Sequence, residues 1–217
     1  IMVEIVAYSD ENAYTIFETM NDRGLNLTPS EMLKGFLLSR FHQGDKRQKA
    51  NELWKKAMMD LKNYDKDEDQ RFFQSWLRAQ YADTIRPGKA GSKNEDFEKI
   101  GTRFHSWVRD NLQEVGLDPD NGETFERFIQ KNFLFYLNAY TQILNAERAL
   151  THQLEYVFYI HHWGIAPTLS FPLMLAPLNV GDSPEAVIAK INLVARYIET
   201  FVVRRSVNFR KFSASSI

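Results

Sequence analysis

The chain contains no cysteine. That excludes a disulfide framework and any thiolate metal site, and it suits the reducing cytoplasm, where we place the protein. Long apolar runs are missing too. The longest, Ile165 to Leu178, is broken by Pro167, Pro172 and Pro177, and nothing approaches the roughly 20 apolar residues of a membrane-spanning helix. No signal peptide is visible, so no membrane partner is expected. Excess charge of one sign is absent, the formal net charge being -1. A dedicated nucleic-acid binder is usually basic overall, so any such role must come from a local patch. Phosphate loops of the Gly-x-Gly-x-x-Gly or Walker kind, His-Glu-x-x-His and Gly-x-Ser-x-Gly do not occur. No nucleophilic triad can therefore be read by eye, and no catalytic residue is assigned. Five histidines are available for a metal. His152 and His161, counted along a helix at about 100° per residue, fall on opposite faces. His161 and His162 read as a helix end, where positive charge is favourable, so no metal site is expected.

What is present is an ordinary globular composition, 44% hydrophobic and 25% charged. A chain of 217 residues buries roughly 70% of its unfolded surface and needs no staples. Strand signals are confined to the start, where Val3, Ile5 and Ala7 alternate with Glu4, Val6 and Tyr8. A lone strand cannot satisfy its own backbone groups. With the opening Ile1-Met2, it reads as a piece of a longer polypeptide trimmed upstream, or as a tag scar before a true Met2.

Beyond that, helical periodicity dominates. Ala13, Ile16, Phe17 and Met20 form one stripe. Gly24 suits a left-handed C-cap. Thr28, Pro29 and Glu31 suit an N-cap, first position and capping box, and Leu33, Leu37 and Phe41 a buried face. Trp54, Met58 and Leu61 mark another helix. The run Asp65, Asp67, Glu68 and Asp69 reads as a solvated linker before Phe72, Phe73, Trp76, Leu77 and Tyr81. Residues 86–95 and 116–122 have loop chemistry. Phe97, Ile100, Phe104, Trp107 and Val108 are helical in spacing. From Phe125 to Leu150 the apolar residues go all the way round, which predicts a central, buried helix. Val187, Ile191, Val194, Ile198 and Val202 line the inner face of the last one. Aromatic stripes at such spacing read as core rather than as base-stacking platforms. The expected fold is mainly α, a multi-helix bundle with a short N-terminal β remnant. The division runs from 1–44, a strand and two helices, to 45–217, a helical unit.

Two places are not absorbed by fold alone. From Arg196 to the end, five cations (Arg196, Arg204, Arg205, Arg210, Lys211) face Glu199 alone, a net of +4. They suit either the negative end of a helix dipole or a patch for nucleic-acid phosphates, with Arg204, Arg205, Arg210 and Lys211 as its contacts. The other is the corner in IFETMNDRGLNLTPSEMLKGFLL, residues 16–38. Caps explain Gly24, Thr28, Pro29 and Glu31. They explain Asn21, Arg23 and Lys34 less well.

This stretch closely resembles a motif of the family called domain of unknown function 262, which includes the S half of GmrSD-type modification-dependent restriction systems. Phe17, Glu18, Asn21, Gly24, Leu27, Glu31, Leu33 and Lys34 fill its pattern. A looser match lies in YIETFVVRRSVNFRKFS, where Ile198, Val202, Val203, Arg204 and Arg205 resemble the family's apolar-apolar-Arg-Arg helix. The resemblance implies a ParB- and sulfiredoxin-like domain carrying Asp-Gly-Gln-Gln-Arg, then helices, then in many members an HNH-type nuclease domain. This sequence contains neither Asp-Gly-Gln-Gln-Arg nor an HNH-type histidine cluster. It is expected to hold the tail end of the ParB-like domain (1–44) and the helical connector (45–217). The resemblance thus implies a part of a nucleotide-dependent, phage-defence nuclease that is inactive alone. Phe17, Asn21, Arg23, Gly24 and Lys34 would lie near the nucleotide. The chain itself would carry no cofactor, a nucleoside triphosphate and Mg2+ belonging to the intact protein. DNA and an HNH-type nuclease domain or subunit would be the partners. A helical scaffold for protein partners is the competing expectation.

Overall fold

A computed structural model describes residues 27–82, 96–165 and 167–210. Every element in them is helical, and no strand occurs among the described residues. The opening strand, the first helix and the Gly24 turn lie outside them.

The first described helix, α1 (Pro29–Ser39), begins as local chemistry dictates. The Glu31 amide donates to Thr28 Oγ1 at 3.3 Å and the Thr28 amide donates to Glu31 Oε2 at 2.9 Å, with Pro29 in the first turn. This reciprocal cap satisfies two amides that the helix leaves without partners. Then come α2 (Gly44–Lys62), α3 (Glu68–Tyr81) and α4 (Asp96–Asp110), the last interrupted at Arg103 (φ -140°, ψ 50°). A single turn, α5 (Leu112–Val115), closes on Gly116, whose φ of 76° suits the residue without a Cβ. The long helix expected from Phe125 is present as α6 (Gly122–Arg127), a wide π turn (Phe128–Phe133) and α7 (Leu134–Arg148). Next are α8 (Glu155–His162), α9 (Pro167–Leu175) and α10 (Pro184–Val207).

The π turn does specific packing work. Its extra residue rotates the downstream helix relative to a regular one. Here Phe128, Ile129 and Phe133 are all buried within one turn and a half. Trp54 of α2 lies against both Phe73, 5.1 Å away, and Phe133, 4.7 Å away, with rings nearly parallel, and Phe73 and Phe133 are themselves 5.9 Å apart. Trp76 stacks on Phe128 at 5.2 Å and Tyr136 at 5.3 Å. The aromatic stripes of α2, α3, α4 and α7 are therefore core, as their spacing predicted. Each such side chain contributes about 1.5–3 kcal/mol when taken fully out of water. Helix α1 joins the same core through Leu33, Phe36 and Leu37 and packs on α4. Helix α3 lies against α9 and α4, and α8 bridges α7 and α10. The last helix buries Val187, Ile191, Ala195, Ile198 and Val202. Val194 is only half-buried, so Ala195 takes the inner place expected for it.

Candidate functional site

Of the five residues of the nucleotide-side corner, Phe17, Asn21, Arg23 and Gly24 lie outside the described residues. Lys34 is half-buried on α1, in the turn after the capped N-terminus.

Three of the four C-terminal cations are described, and the structure brings them to one helix end. Lys211 lies outside. Arg204 and Arg205 occupy the last turn of α10, with Arg204 exposed and Arg205 half-buried. The helix closes with an Arg210 amide to Arg205 carbonyl hydrogen bond of 2.9 Å and a Phe209 to Ser206 one of 3.0 Å. This is the paired closure that normally seats glycine in the left-handed position. Here Phe209 occupies it, with φ of 55°. The Asn208 side chain adds a donor to the Arg204 carbonyl at 2.7 Å. Arg210 is exposed just beyond the helix. The guanidinium of Arg205 lies 5.5 Å from the Phe201 ring centre, and Phe201 stacks on Tyr197 at 6.2 Å.

The histidines do not gather. His152 lies in the turn before α8, so counting helical angles from it to His161 does not apply. His161 and His162 end α8, as expected. No group of three metal-ligating side chains occurs among the described residues.

Sequence reasoning missed a buried acidic cluster. Two members of the presumed solvated run, Glu68 and Asp69, are only 5% and 2% exposed. They are the first residues of α3, where the helix dipole favours negative charge. Tertiary partners complete the effect. The Tyr140 hydroxyl donates to Glu68 Oε1 at 2.5 Å, Arg71 Nη1 donates to Glu68 Oε2 at 3.2 Å, and Lys62 Nζ lies 3.5 Å from Asp69 Oδ2. Glu147, two turns after Tyr140 on α7, faces the same cluster and lies 3.5 Å from His161 Nδ1. Burial, with Glu68 nearby, pushes the Glu147 carboxyl up to about 7, and burial with Glu68 also raises the Tyr140 phenol. A carboxyl protonated near neutrality has the acidity of a general acid. Even so, the polar cleft of about 530 Å³ between α2 and α7 lies elsewhere, lined by Asp60, Tyr64, Asn138, Thr141, Asn145 and Arg148. The cluster joins α3, α7 and α8 rather than facing that cleft. The i, i+7 spacing of Tyr140 and Glu147 was the one sequence signal for it.

No family model matches the chain, and neither a curated protein nor a solved structure matches it.

Proposed function

We propose that this chain is the helical portion of a nucleotide-driven, restriction-type nuclease protein of the phage-defence kind. In this reading it is inactive alone, relays nucleotide state and contacts DNA through its C-terminal cations. The observation that carries the proposal is the resemblance of residues 16–38 to the restriction-system motif. The helical architecture and the gathering of Arg204, Arg205 and Arg210 at one helix end support it. Asn21, Arg23 and Lys34 contribute to the nucleotide side, and Mg2+ and the nucleoside triphosphate belong to the intact protein. The test uses the intact protein carrying Asn21→Ala and Arg23→Ala. Nucleotide hydrolysis should fall, and full retention would remove the corner's role.

A scaffold reading draws on a different observation. Leu193 and Val207 are large apolar side chains exposed on α10, and exposed apolar surface commonly marks a protein interface. Salt separates the two readings. Phosphate contacts weaken steeply as ionic strength rises, whereas an apolar interface does not.

A further inference from the structure

We propose that the outer face of α10, together with the adjoining face of α8, binds single-stranded nucleic acid. The inference rests on the DNA reading above and goes beyond it by naming the form of the strand.

Leu193, Tyr197, Thr200, Arg204 and Val207 recur at alternating steps of four and three, which places them on one side of a helix. All five are exposed. Tyr197 is 67% exposed, and its ring begins a column that continues through Phe201 to the Arg205 guanidinium. On α8, Tyr156 lies beneath Arg196, 5.8 Å from ring centre to guanidinium, and Trp163 just past the helix is 60% exposed. Phe209 is 99% exposed beside Arg210. Tyr197, Phe201 and the Arg205 guanidinium thus form one ring–ring–cation column, and Tyr156 pairs with Arg196.

Charge decides the class of partner. From Arg196 to Arg210 there are four arginines against Glu199 alone, and α8 adds Glu155, so the balance stays positive and suits an anionic occupant. The rings then decide between strand forms. A duplex offers phosphates outside and keeps its base faces stacked within, leaving nothing for Tyr197, Trp163 and Phe209 to stack on. A single strand offers both phosphates and free base faces, and the exposed rings and guanidinium groups here suit both. Phe209 holds left-handed backbone, a place where glycine is usual, and carries an exposed ring next to Arg210 in the chain.

The experiment measures binding of a labelled oligo(dT) and of a duplex of equal length to the whole chain, by fluorescence anisotropy over a range of KCl. Single-strand binding should be roughly tenfold tighter, and Tyr197→Ala should weaken it by about tenfold with little effect on duplex binding. Arg204→Ala should reduce the single-strand salt slope by about 0.7. Of the four tryptophans, Trp54, Trp76 and Trp107 are buried. Quenching on adding oligo(dT) should therefore vanish in Trp163→Phe. Equal binding of both forms, with Tyr197→Ala affecting them alike, would overturn the single-strand inference while leaving the DNA reading standing. Absence of binding to either form at low salt would overturn both.

Discussion

Replacing Glu147 by glutamine tests the electrostatics of the buried cluster directly. The groups facing this carboxyl are Glu68 from α3, Tyr140 and Arg148 on its own helix and His161 from α8. Burial and Glu68 raise it from 4.5 to about 7, while Arg148 opposes the shift. A carboxyl raised in the folded state holds its proton there at pH values where the unfolded chain has lost it. Its contribution to stability is fully present below about pH 4.5 and is lost as pH rises through about 7. The gap of about 2.5 pH units, at about 1.4 kcal/mol each, sets an upper bound near 3.4 kcal/mol. Glu147 is not fully enclosed, so solvent screening brings the expected figure to about 1.5–2 kcal/mol. Glutamine keeps the shape and never ionises. The stability of Glu147→Gln relative to the parent should therefore climb by that amount between about pH 4.5 and 7 and level off above it. Urea denaturation of both proteins at matched pH values measures this difference; titrating groups remote from Glu147 cancel in it, while His161, 3.5 Å away, adds its own coupled titration. A flat difference, or one falling with pH, would refute the reasoning. It would mean that Arg148 and His161 hold the ionised form more favourably than burial and Glu68 disfavour it.

Two further predictions concern stability. Tyr140→Phe removes the hydroxyl that donates to Glu68 at 2.5 Å while leaving the ring's packing in place. A buried hydrogen bond to a charged group contributes about 1.5–3 kcal/mol, so denaturation should register a loss near 2 kcal/mol, and a loss under about 0.5 would show the carboxylate well satisfied by Arg71 alone. Gly122→Ala and Gly35→Ala should move melting temperature in opposite directions. A Cβ at Gly122 would meet the Arg40 carbonyl oxygen and His42 Cδ2, each at 2.8 Å, whereas one at Gly35 meets nothing within 4 Å. The first substitution should cost about 1–3 kcal/mol and the second should gain up to about 1 kcal/mol from helix propensity.

How far the sequence could be read depended on whether its signals were local. The start of α1 was legible because Thr28, Pro29 and Glu31 satisfy one another within four residues. The long helix from Phe125 was legible because its apolar residues are dense, but it is not buried all round: Gln130, Lys131, Asn138 and Asn145 are exposed. Its π turn was not legible, because that insertion is selected by what Phe128 and Phe133 pack against, not by a period in the chain. Val194 and Ala195 exchanged places because periodicity fixes the face to within about one residue, and the tightness of contact then chooses the smaller side chain. Glu68 and Asp69 were misread for the same reason. Composition made them solvent-facing, while the partner that buries Glu68, Tyr140, lies 72 residues away.

The C-terminal cations show how a local rule can be right and still incomplete. The sequence offered two readings, attraction to a helix end and a surface for phosphates. The first accounts for Arg204 and Arg205, which occupy the last turn of α10. It does not account for Arg210, which lies past the helix. Nor does it account for Phe209, a bulky residue held at φ 55° and almost wholly in water. Left-handed backbone costs a residue with a Cβ about 1–2 kcal/mol, and glycine would close the same turn without that cost. A helix needing only a cap would gain from the exchange. The retained strain and the extra cation are accounted for if this end of the chain presents its side chains to a partner, and an anionic strand with free bases fits both.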